Sequence, residues 1–161
     1  METITLNPIG KIFTPHNNIS DMPIQAIAAD GVKGHIELLP EFEPGLKDLD
    51  GFSHITLLYH FHKADGFELV TTPFLDTAQH GVFATRAPKR PNAIGISTVR
   101  LTGIENNIIH IEQVDMLNGS PLIDIKPFHP QFDHRENVQS GWLEKSKNST
   151  PNQLRSDDRF R

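Results

Sequence analysis

Three cations, Arg86, Lys89 and Arg90, fall within five residues, with Pro88 among them and Pro91 directly after. Held at that density, guanidinium and ammonium groups can take a phosphate or a carboxylate, provided the backbone keeps them together. The prolines fix φ and remove two backbone donors, so the segment cannot be a helix interior or a central ladder strand and reads as a rigid loop. Asn92 and Gly95 follow. Gly95 permits a positive φ or a close backbone approach where the loop re-enters a strand, and Asn tolerates the same turns. The alternative is a proline-rich corner whose charges are simply solvated, since exposed cations need no explanation.

Other groupings are weaker. His60 and His62 lie two apart in a strand-like run and would share a face with His54. With Glu68 nearby they resemble the HxH of metal-binding barrels of the cupin kind, although the spacing to Glu68 is longer than that motif requires. Histidines that hydrogen-bond within a β face are the commoner case, and no metal is expected. Asp124 and Lys126 would share one face if extended and read as a plain surface ion pair. Asn118, Gly119 and Ser120 can turn their backbone amides towards a ligand before Pro121 ends the pattern. There is no HExxH, GxSxG, phosphate-binding loop or GxGxxG, so hydrolase, kinase and Rossmann-cofactor readings have no motif behind them.

The elements that must position these residues read as strands. Val32–Leu39 alternates, and Ser53–His62 sets Ile55, Leu57 and Tyr59 against His54, Thr56, Leu58, His60 and His62. Ile96, Thr98 and Arg100 alternate with Ser97, Val99 and Leu101, and a turn at Glu105–Asn107 leads to Ile108–Val114 as a hairpin. Thr3–Phe13 reads as a bent edge strand, Pro44–Asp50 as one or two helical turns, Asp115–Pro130 as a turn-rich stretch, and Glu136–Trp142 as a short helix. Six or more short strands between Gly, Pro and Asn turns favour a mostly antiparallel β-barrel or sandwich, with nothing resembling a βαβ series.

The 161 residues suffice for one domain, and 37% hydrophobic content is ordinary for it. The absence of cysteine excludes disulfides, thiolate metal sites and a cysteine nucleophile. A net charge of -5 argues against wholesale attraction to nucleic acid, so any RNA contact must be local. The amino terminus lacks a basic leader and an apolar core, and no apolar run is long enough to cross a bilayer. A soluble, cytoplasmic protein with no membrane association is expected, with one domain over residues 1–143 and a polar tail over 144–161.

Taken together, "GVFATRAPKRPNAIGIS", "DMLNGSPLIDIKP", "IGKIFTP" and "DGFSHITLLYHFH" resemble the TrmO/TsaA-like family of tRNA methyltransferases, from about Ile9 to Trp142. The resemblance implies a TsaA-like antiparallel β-barrel with short helical segments that binds S-adenosylmethionine and works as a homodimer. It further implies methylation of threonylcarbamoyl-adenosine in the tRNA anticodon loop. Carried over by position, cofactor contacts would come from Gln25, Ala26, Ile27, His62, Lys63, Arg86, Ile96, Leu117, Asn118, Gly119 and Ser120. Lys89, Arg90, Asn92 and Lys126 would hold substrate, and Asp124 is the candidate for removing the acceptor proton. This chain has Ala93, Asn118, Ser120 and Phe128 where the family usually has Pro, Asp, Thr and Tyr, and it ends without the additional carboxy-terminal domain of longer members. A non-catalytic barrel that binds S-adenosylmethionine, or a metal-dependent barrel enzyme, are the alternatives.

Overall fold

Alternation of β-branched and aromatic residues drives the architecture. In His54–His60 the residues Ile55, Leu57 and Tyr59 are buried while their neighbours are half-buried or exposed, as a strand with one dry face requires. A computed structural model describes residues 2–20, 22–24, 26, 29–74 and 76–146. Among them, strands β1 (Gly10–Phe13), β2 (Lys33–Leu38), β3 (His54–His60), β6 (Ile94–Glu105), β7 (Ile108–Glu112) and β8 (Ser120–Pro127) close a barrel in the order β1-β2-β7-β6-β3-β8. Every neighbouring pair is antiparallel. A separate two-stranded ribbon joins β4 (Val70–Thr71) to β5 (His80–Gly81). The helical elements named among the described residues are a single turn, α1 (Pro130–Asp133), and short 3₁₀ segments at Pro40–Leu46, Leu49–Gly51, Val82–Ala84 and Gly141–Ser146. No helix of the described residues is long and apolar enough to cross a membrane.

The inward residues of all six barrel strands meet in one core. Ile12, Ile36, Ile55, Leu57, Val99, Ile109 and Leu122 have no exposed surface. Each large aliphatic side chain so buried contributes roughly 1.5–3 kcal/mol.

Several expectations change. The first strand is shorter than Thr3–Phe13 and is not an edge, because β1 pairs with β2 on one side and β8 on the other. The turn-rich reading of Asp115–Pro130 gives way to β8, whose prolines stand at its second and last residues, near the ends where a missing donor costs least. Glu136–Trp142 is not a helix; the helical segments lie on either side of residues 134–140. Residues 147–161 of the expected tail, together with Gln25 and Ile27, lie outside the described residues.

One mismatch of lengths positions the site. β6 is twelve residues long, pairing with β3 from Ile94 to Arg100 and with β7 only from Arg100 onward. β7 ends at Glu112, and the chain leaves the ladder through Gln113, which has a φ of 66° and donates its amide to the Val32 carbonyl at 2.8 Å. The next residues therefore run beside the start of β6, along the edge that β7 does not cover.

A cleft built around a half-buried carboxylate

The start of β6 carries Gly95 opposite Tyr59 of β3. A Cβ at Gly95 would run into the Tyr59 ring, so the glycine is what lets the phenol lie across β6. From there the Tyr59 hydroxyl lies 3.2 Å from Ser97 Oγ, and Ser97 Oγ donates to Asp115 Oδ1 at 2.6 Å. Because the single serine proton is committed to Asp115, Tyr59 is the donor in the first bond. Asp115 also accepts the Ala26 backbone N–H.

Burial pushes the Asp115 carboxyl up from 3.8 to about 6, and the bond from Ser97, the Arg86 charge and the Ala26 amide offset this only in part. Burial, followed by the Asp115 charge, raises the Tyr59 phenol well above its ordinary value, so it stays protonated at neutral pH.

Asp115 stands on the wall of a cleft of about 820 Å³. Met22, Ile24, Phe61, Phe83, Met116 and Trp142 supply apolar walls, while His62, Lys63, Arg86 and Asp115 supply polar groups. Trp142, in the 3₁₀ segment Gly141–Ser146, is pinned by a bond from Nε1 to the Ala84 carbonyl at 2.8 Å and stacks on His80 with ring centroids 4.4 Å apart. Arg86 reaches the cleft from a loop held by its own neighbour. Arg90 Nη1 donates to the carbonyls of Val82, Thr85 and Ala87 at 3.3, 2.9 and 3.3 Å.

The residues singled out by sequence divide accordingly. His62, Lys63, Arg86, Ile96, Leu117 and Ser120 line the cleft, and Ala26 touches it through Asp115. Arg90 also lines it, but with Nη1 engaged in scaffolding the loop rather than facing a ligand. Lys89 and Asn92 are not among the lining residues; Lys89 is half-buried on the same loop and Asn92 is exposed. Lys126 and Asp124 pair with each other at 2.9 Å on the outside of the barrel, and Asp124 borders a different recess beside Phe42 and Leu49. That position takes Asp124 away from the cleft as a base.

The amides of the Asn118–Ser120 turn do not face a ligand. They donate to the carbonyls of His16, Ile12 and Leu117, closing the turn against β1, and Gly119 supplies its φ of 79°. The Asn118 side chain accepts the Thr14 N–H at 3.1 Å and donates to Asn17 Oδ1 at 3.0 Å. A carboxylate could make only the first of these bonds, which is a structural reason for an amide here. The three histidines do not share a face either. β3 ends at His60, which is exposed, whereas the half-buried His62 ring places Nδ1 3.4 Å from Ser120 Oγ. Burial, then the nearby Lys63 charge, lowers the His62 pKa and keeps the ring neutral at pH 7. Among the described residues no group of three or more His, Asp or Glu is arranged to hold a metal ion.

Sequence reasoning missed Tyr59, Ser97 and Asp115 as a unit. The signals were a serine on the core-facing side of β6 with Val99 and Leu101, and a lone carboxylate between Val114 and Met116, both fully buried.

Comparison with known proteins adds to this geometry. Residues 11–134 match the family described as the tRNA-methyltransferase O N-terminal domain. The chain is 52% identical over 157 residues to a probable S-adenosyl-L-methionine-binding protein of Pyrococcus abyssi, covering 98% of this chain and 85% of that protein. It is 36% identical over 122 residues to the human tRNA (adenine(37)-N6)-methyltransferase, covering 72% of this chain and 28% of that protein. The crystal structure of TrmO from Pseudomonas aeruginosa superposes with a TM-score of 0.75 at 36% identity, over 88% of this chain and 63% of that one. The chain thus spans less than two thirds of that solved structure.

Proposed function

The chain belongs to the tRNA-methyltransferase O N-terminal domain family, and on that premise we propose that it is an S-adenosylmethionine-dependent methyltransferase acting on tRNA. The observation that carries the reading is the pairing of Arg86 and Asp115 within one apolar-walled cleft. A cleft of about 820 Å³ is of the size that takes a cofactor. Aromatic and aliphatic walls suit a flat adenine, Arg86 and Lys63 suit a carboxylate, and Asp115 suits a cationic group. Ala26, His62, Lys63, Arg86, Ile96, Leu117 and Ser120 are the residues proposed to hold the cofactor.

Bound S-adenosylmethionine supplies a methyl group already activated on a sulfonium, so the protein need not provide a nucleophile. The chain's own residues then have to orient and dehydrate. Phe61, Met116 and Trp142 keep water from the reacting groups. The loop braced by Arg90 holds Arg86 in place, which lowers the ordering cost of binding. Lys89, outside the cleft on the same loop, is suited to an RNA phosphate that sets the register of the substrate.

The human relative's name supports N6 of an adenine as acceptor, and the family resemblance supports threonylcarbamoyl-adenosine in the anticodon loop. A homodimer and a cytoplasmic site of action belong to the same reading. The name of the Pyrococcus abyssi relative keeps a second one in view, an S-adenosylmethionine-binding barrel without transferase activity. Calorimetric titration with S-adenosylmethionine, followed by methyl transfer to tRNA with and without the threonylcarbamoyl group, separates them. Binding with transfer only to the modified tRNA is the expected result. Binding without transfer to either tRNA supports the second reading, and absence of binding overturns both.

A further inference from the structure

Among the described residues that line the cleft, Asp115 alone is acidic, against Lys63, Arg86 and Arg90. Arg90 Nη1 braces its loop, while Lys63 and Arg86 stand on the cleft wall with Asp115. A ligand bringing one negative and one positive group therefore finds two partners for its anion and one for its cation. A carboxylate set among apolar side chains is costly unless a cation stands against it. The protein's own groups compensate Asp115 only in part, its carboxyl standing at about 6 despite the neighbouring Arg86. Its direction is nevertheless fixed, by Ser97 Oγ on Oδ1, with Tyr59 behind Ser97.

We propose that Asp115 is the cation-recognising residue of the cleft, taking the ammonium of S-adenosylmethionine's amino-acid end while Arg86 takes its carboxylate, and that Ser97 and Tyr59 are positioning residues that aim it. The inference rests on the cofactor reading above. It makes the pair a reader of the amino-acid zwitterion, so that an adenosine thioether lacking that end, such as 5′-methylthioadenosine, gains nothing from Asp115. The groups facing the carboxylate are Tyr59 from β3, Ser97 from β6, the Ala26 amide and Arg86 from its loop. His62 and Lys63 line the same cleft. Of these only His62 also titrates in mild acid, and a comparison with Asp115→Asn separates its contribution.

The test is calorimetric titration of the full chain, as wild type, Asp115→Asn and Ser97→Ala, with S-adenosylmethionine and with 5′-methylthioadenosine between pH 5 and 7.5. At pH 7.5 Asp115→Asn should weaken S-adenosylmethionine roughly tenfold or more and leave 5′-methylthioadenosine within about twofold, which also shows that the variant is folded. Wild-type affinity for S-adenosylmethionine should fall as pH drops through about 6, more steeply than in Asp115→Asn. Ser97→Ala should move that fall to higher pH, because the bond it loses favours the ionised carboxylate. Equal affinity of wild type and Asp115→Asn for S-adenosylmethionine overturns the inference and leaves the cofactor reading intact, as does an equal loss of both ligands. An unmoved midpoint in Ser97→Ala removes the positioning role. A wild type that binds neither ligand overturns the cofactor reading and this inference with it.

Discussion

Replacing Asp115 by asparagine removes a charge that the folded chain holds at a cost. A carboxyl whose pKa rises on folding binds its proton more tightly in the folded than in the unfolded chain. Its contribution to stability is therefore complete below the ordinary value of 3.8 and is lost as pH climbs through about 6. At about 1.4 kcal/mol per pH unit, that interval amounts to at most about 3 kcal/mol. Asparagine can still accept the Ser97 hydrogen bond and carries no charge at any pH. Asp115→Asn should thus unfold at higher urea than wild type at pH 7, by up to about 3 kcal/mol, with the advantage shrinking towards zero at pH 4. Urea melts of both proteins at pH 4, 5, 6 and 7 measure the difference directly, and effects of other titrating groups cancel in the comparison. A variant less stable than wild type at pH 7, or a difference that does not change with pH, would refute the reasoning. A more stable chain that binds the cofactor less well is the expected mark of a functional group kept against the interests of the fold.

Arg90→Ala should cost about 1.5–3 kcal/mol in urea melts by releasing the carbonyls of Val82, Thr85 and Ala87. Gly95→Ala forces a methyl group against the Tyr59 ring and should destabilise by about 1–3 kcal/mol, read by thermal melting. Arg86→Ala should weaken S-adenosylmethionine binding roughly tenfold in calorimetry. Lys89→Ala should leave that affinity unchanged and lower the salt dependence of tRNA binding by about one unit of log-log slope, measured by filter binding.

Strands whose two faces differ were legible before any coordinates: β2, β3, β6 and β7 fall where alternation puts them. β8 was hidden because Pro121, Asp124 and Pro127 are turn formers, and only closure of the barrel between β1 and β3 makes that segment extended. The basic loop was legible as rigid, since prolines constrain a backbone wherever it goes. What Arg90 does with its donors was not, because the carbonyls it meets are set by the 3₁₀ turn at Val82–Ala84. Asp124 drew attention by its spacing from Lys126, yet a shared face says nothing about which side of a barrel wall it is on. Asp115 became visible only once the shortness of β7 relative to β6 set it beside Ser97.

The protein has one tyrosine and one tryptophan, and both Tyr59 and Trp142 stand on the walls of the cleft. Nearly all of its near-ultraviolet absorbance and intrinsic fluorescence therefore originates from residues bordering the cleft. An adenine lodged against the indole alters emission from Trp142, and a shift in the hydrogen bond from Tyr59 alters the phenol's spectrum. Occupancy of the cleft can thus be followed optically in the unlabelled chain, without a single engineered reporter.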